Sequence, residues 1–115
     1  MRVIVVIVGP SGAGKTTLDE LARKAKEEVP DAEIRTVTTK EDAKRVAEEA
    51  ERRNADIVVI VGPSGSGKST LAKIVKKIIA RAGAKTIEVT TEEELRKAVA
   101  KARGSWSLEH HHHHH

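Results

Sequence analysis

A chain of 115 residues has material for one hydrophobic core and not for two. It has no Cys, Phe or Tyr, and its single Trp and six His all fall within 104–115, which reads as a linker and a His purification tag. The remaining domain, 1–103, therefore excludes disulfides, thiolate nucleophiles, imidazole bases and zinc sites. The net charge is +4, and no apolar run is long enough to span a bilayer, so a soluble chain with no membrane partner is expected.

Residues 3–8 are an unbroken run of valine and isoleucine, which predicts a strand buried on both faces of a parallel sheet. A glycine-rich stretch follows, and then Leu18, Leu21, Ala22, Ala25 and Val29 make the apolar stripe of a first helix. The shorter and more polar run 34–37 predicts an edge strand. Thr38 and Glu41 have capping-box spacing, and they open a second helix with Ala43, Val46, Ala47 and Ala50 on one face. Asn54 stands where a left-handed helix end is wanted.

Residues 57–61 repeat the buried β-branched run, again followed by a glycine-rich stretch. A third helix carries Leu71, Ile74, Val75, Ile78, Ile79 and Ala82, and Gly83 marks its end. A short strand at 87–89 then leads through Thr91 and Glu94, a second capping-box pair, into a helix with Leu95, Ala98, Val99 and Ala102 inward. The pattern is (βα)₄: an α/β fold with a four-stranded parallel sheet and two helices on each face.

The halves repeat at an offset of 53, with Val8-Gly9-Pro10-Ser11-Gly12 matching Val61-Gly62-Pro63-Ser64-Gly65. Right-handed crossovers place the first and fourth helices on one face and the second and third on the other. All strand C-termini then share one edge, and the two glycine loops are neighbours there. Strand orders 2-1-3-4 and 2-3-1-4 both put the loop-bearing strands at the centre.

Each loop reads Gly, four residues, Gly-Lys-Thr or Gly-Lys-Ser, between a buried strand and an amphipathic helix. In the first, Gly9, Gly12 and Gly14 let successive N–H groups converge on an oxyanion, with Ser11 and Ala13 between them. Lys15 can reach outer phosphates, Thr16 offers a hydroxyl for Mg²⁺, and Thr17 continues the helix N-terminus. Gly62, Ser64, Gly65, Ser66, Gly67, Lys68, Ser69 and Thr70 repeat these roles, with Ser69 as the second metal-facing hydroxyl. Between Asp56 and Glu88 there is no acid, while Lys68, Lys73, Lys76, Lys77, Arg81 and Lys85 all fall there. That one-sided block is the footprint expected of a polyanion binder.

Both segments resemble the Walker A loop of the P-loop NTPases, over 3–29 and 57–82. The resemblance favours strand order 2-3-1-4 and implies Mg-nucleotide binding and, in the family's enzymes, phosphoryl transfer. The chain departs from the family where its Mg-organising Asp should stand. The matching strand ends at Val61 and runs into the second glycine loop, and Asp56 is at the wrong end of that strand. A chain that is not an enzyme is therefore expected, with no obligatory cofactor and Mg²⁺ only alongside bound nucleotide.

Short loops, regular helix patterns, an alphabet lacking most aromatics and a duplicated loop also resemble an idealised, de novo designed Rossmann-like scaffold. The leading expectation is a module that binds ATP, GTP, inorganic phosphate and single-stranded DNA or RNA through phosphates, without base specificity. The alternatives are a minimal Mg-dependent NTPase and a purely structural fold-design scaffold.

Overall fold

A computed structural model describes residues 1–9, 15–62 and 68–112, without the side chains of 15–17, 68, 69, 92 and 105–112. The elements alternate strictly: β1 (Val3–Val8), α1 (Lys15–Glu28), β2 (Glu33–Val37), α2 (Lys40–Arg52), β3 (Ile57–Val61), α3 (Lys68–Ala80), β4 (Lys85–Val89) and α4 (Glu92–His112). Every residue of β1 and β3 is buried, as β-branched strands covered on both faces must be. β2 and β4 are more polar and more open, and they are the two edges.

The sheet is wholly parallel, with order β2-β1-β3-β4. This corrects the order 2-3-1-4 that the family resemblance favoured. Helix placement does not distinguish the two orders, because right-handed crossovers put α1 on one face and α2 and α3 on the other in both. Adjacency does. In the observed order two of the three connections join neighbouring strands, and only β2 to β3 steps over a strand; the rejected order needs two such steps. Short connections favour neighbours.

The two faces have separate cores. Alternate side chains of β1 and β3 meet α2 and α3 on one face, where Ile4, Val6, Val58 and Ile60 pack with Val46, Val75 and Ile79. On the other, Val3, Val5, Val59 and Val61 pack with Leu18, Ala25, Leu95 and Val99 of α1 and α4. Period-2 alternation from two central strands feeds both layers at once. Asn54 (φ 56°) and Gly83 (φ 76°) take the left-handed conformation at the ends of α2 and α3, as their sequence positions suggest.

Three local features differ from the sequence reading. The cap of α2 is Thr39, whose hydroxyl accepts from the Asp42 N–H at 3.1 Å, one residue later than the Thr38–Glu41 pair. Ala82 is exposed, since α3 stops at Ala80 before the apolar period is complete. Ala72 is buried in its place at the other end of the helix. At the chain's end, backbone 104–112 continues α4, although its buried contacts stop at Ala102. Among the described residues, no helix is long and apolar enough to cross a membrane.

Candidate functional site at the strand C-termini

β1 and β3 are adjacent and in register, Ile7 beside Val61, so Gly9 and Gly62 leave the sheet side by side. From there the chain departs in opposite directions, through α1 toward β2 and through α3 toward β4. That divergence is a topological switch point, the place where open α/β sheets form a crevice. Both helices begin at corresponding positions, Lys15 and Lys68. The expected juxtaposition of the two loop-bearing units is therefore present.

The first glycine of each loop is occupied by the sheet. Gly9 donates its N–H to the Val37 carbonyl at 3.1 Å, and Gly62 donates to Val89 at 3.2 Å. Both glycines are buried. Each bond extends a ladder by one residue, from a central strand to the end of its own edge strand. Those two N–H groups are committed to the frame and do not face an open crevice. Thr70 is exposed on the first turn of α3. Ser11, Gly12, Ala13, Gly14, Ser64, Gly65, Ser66 and Gly67 lie outside the described residues. So do the side chains of Lys15, Thr16, Thr17, Lys68 and Ser69, including both hydroxyls expected to hold Mg²⁺.

A depression of about 670 Å³ lies at the opposite, N-terminal end of the strands, lined by residues including Arg2, Asp31, Glu33, Arg53 and Asp56. Its charges are mostly tied to one another. The Arg2 N–H donates to Asp56 at 2.7 Å, the Arg2 guanidinium to the Arg53 carbonyl at 2.8 Å, and Arg53 to Glu33 at 2.5 Å. Arg103 of α4 bonds Asp31 at 2.5 Å and holds that carboxyl below its ordinary range. Glu33 Oε2 is buried and makes no hydrogen bond, with the Arg35 guanidinium 3.9 Å away. This end of the molecule is a staple joining β2, α2, α4 and the start of β1. Among the described residues no group of three or more His, Cys, Asp or Glu could hold a metal ion.

The sequence reading missed the part played by Arg35. Its guanidinium bonds Glu49 of α2 and also donates to the Ile34 carbonyl of its own strand at 2.9 Å. The available signal was an arginine at the centre of a short strand already recognised as an edge.

Two family models match parts of the chain: ABC transporter over residues 50–115, and diacylglycerol kinase catalytic domain over residues 1–66. No curated protein matches the sequence. Among solved structures, the chain is similar to a de novo designed protein of the Rossmann2x2 fold, at 30% identity and TM-score 0.63, covering 91% of each chain. It is also similar to a de novo Rossmann2x2 fold with most of its core mutated to valine. That match has 28% identity and TM-score 0.62, and covers 89% of this chain and 88% of the other.

These chain-long likenesses correct the leading functional expectation. The reading as a binder of ATP, GTP, inorganic phosphate and single-stranded DNA or RNA rested on the loop motif and the basic block. Both of these structures, which match about nine-tenths of the chain, are designed folds, and they favour the alternative of a structural scaffold. The physical reason is that glycines between a buried strand and a helix also serve a tight βα turn, and Gly9 and Gly62 are bonded as such a turn requires. Each family model spans little more than half of the chain and the two differ, whereas the designed structures span about nine-tenths of it. The chain belongs to the de novo designed Rossmann2x2 α/β proteins, and its strand–loop–helix units resemble those of P-loop NTPases.

Proposed function

We propose that this chain is a structural scaffold, whose role is to hold a four-stranded parallel sheet between two helical layers. The observation that carries the reading is the 91% mutual coverage with a designed Rossmann2x2 protein. Local chemistry supports it. Strand residues are β-branched where buried, left-handed positions are Asn and Gly, and helices α2 and α4 open on threonine caps. Consistency at every level is what a sequence needs to specify one fold, and among the described residues the only left-handed positions are Asn54 and Gly83.

On this reading the loop lysines are dispensable to the fold and have no ligand to lose. A Lys15→Ala/Lys68→Ala double variant should unfold within about 0.5 kcal/mol of the parent, because a scaffold without a phosphate ligand asks nothing of the loop lysines. Isothermal titration of the parent with ATP, inorganic phosphate and a single-stranded oligonucleotide should give no saturable heat. Saturable binding that the double variant abolishes would overturn the scaffold reading.

A further inference from the structure

The two edges of the sheet are built differently, and the difference has a consequence for association. In β4, Lys85 donates its N–H to Asp56 at 3.0 Å and Val89 accepts from Gly62 at 3.2 Å. Residues 85, 87 and 89 therefore turn their backbone groups inward to β3, and Thr86 and Glu88 turn theirs to the open side. In β2, Val37 accepts from Gly9, so residues 33, 35 and 37 face β1 and Ile34 and Thr36 face outward. One outward group of β2, the Ile34 carbonyl, is already taken by the Arg35 guanidinium at 2.9 Å.

Consider each edge meeting its own copy about a twofold axis, antiparallel. The register that uses all outward groups pairs Thr86 with Glu88 of the second copy, and the reverse, through four backbone hydrogen bonds. It centres on Ile87, a half-buried side chain, facing its symmetry mate. Lys85 falls opposite Val89, and no like charges are opposed. A one-step shift that sets Glu88 against Glu88 is disfavoured by charge. The same geometry on β2 centres on Arg35 against Arg35, with Ile34 blocked. Head-to-tail pairing of β4 with β2 meets the same occupied Ile34 carbonyl, which disfavours growth into an open filament.

We propose that the outer edge of β4 is a homodimerisation surface, where two copies join antiparallel about Ile87 into one eight-stranded sheet, while β2 is guarded against pairing by Arg35. The partner is a second copy of this chain. The interface is backbone-led, with a central pair of isoleucines on the α4 side and Thr86–Glu88 pairs on the α3 side. Ile87 packs with the α1–α4 core, and Glu88 is ion-paired to Lys76 of α3, which gives those faces.

Sedimentation equilibrium across a concentration series tests this, in a chelator that removes metal-bridged contacts between His tails. The parent should dimerise. Thr86→Pro deletes an outward donor while leaving the β3 ladder intact. It should weaken the dimer by about a hundredfold, two symmetry-related bonds being lost at about tenfold each. Ile87→Arg, which copies the β2 solution, should abolish it, and Ile34→Pro on the other edge should change nothing. Hydrogen exchange of the parent gives an answer independent of any variant. Protection at the Thr86 and Glu88 amides should rise with protein concentration, and that at Ile34 and Thr36 should not. A parent that stays monomeric at millimolar concentration, a dimer lost on Ile34→Pro, or concentration-independent exchange at Thr86 and Glu88 would each overturn the proposal.

Discussion

Leu95→Ala isolates how α4 is held. Leu95 is fully buried at 0% exposure and is the largest buried side chain of α4 among the described residues, beside Val99 at 3% and Ala102 at 4%. The other buried side chains of this stripe, Val99 and Ala102, are small, so filling the space left by three lost carbons falls to the facing core, which includes Ile7 and Leu18. Buried Leu→Ala substitutions cost about 3–5 kcal/mol, with the larger values where the site cannot collapse. α4 is terminal and can shift inward, so a value near the lower end, about 3 kcal/mol, is expected here. In a domain of about 100 residues each kcal/mol moves Tm by about 4–8 °C, which gives a fall of about 12–24 °C. Far-UV circular dichroism melts and urea titration would measure it, with amide exchange reporting whether α4 frays first. A loss under about 1 kcal/mol would refute the packing argument, because only an undocked or solvent-exposed leucine behaves that way.

Acid should weaken the fold through three carboxylates. The Arg35 hydrogen bond holds Glu49 low against burial, and Arg103 does the same for Asp31. At Asp42 burial is outweighed by the Thr38 N–H, the Thr39 hydroxyl and Arg45. All three shifts are downward, so the stability they add is complete above the ordinary values of 3.8 for Asp and 4.5 for Glu, and is lost as pH falls through the lower folded values. Urea midpoints should fall between pH 5 and pH 3, less steeply in Arg35→Met, and a flat profile would exclude the mechanism. Thr39→Ala should cost about 1 kcal/mol in chemical denaturation, while Thr38→Ala costs clearly less, because Thr39 is the residue that caps α2. Gly83→Ala should cost about 1 kcal/mol from backbone strain alone, since nothing lies within 4 Å of an added Cβ; a neutral result would mean that the turn relaxes.

Much of the frame was legible because its residues answer to one physical demand each. The runs 3–8 and 57–61 could only be strands covered twice, and Asn54 and Gly83 could only end helices, and all stand where expected. Elsewhere two registers satisfied the same pattern. Thr38 and Thr39 are each followed, three residues on, by an acid, Glu41 and Asp42, so spacing alone fits both caps and the structure selects the second. The apolar period of α3 runs on to Ala82, but Gly83 turns the chain before that residue can face inward. Strand order was open because handedness assigns helices to faces without saying how far each crossover travels.

The candidate site shows a different gap between motif and function. A glycine loop with Lys-Thr or Lys-Ser states what the backbone can do, and a βα turn asks for much of the same freedom. Which demand is met depends on where each N–H points, and that is set by the neighbouring strand. Gly9 and Gly62 end central strands whose edge partners, β2 and β4, each present a carbonyl at that level, Val37 and Val89, that accepts the glycine N–H. The nearest acceptor is therefore the sheet, and the ladder takes both donors. Edge strands one residue shorter would not present Val37 and Val89 there, and the same two glycines would face the crevice at the switch point. Whether these two N–H groups belong to the sheet or to the crevice is thus decided by the lengths of β2 and β4, two short and polar segments that carry no motif of their own.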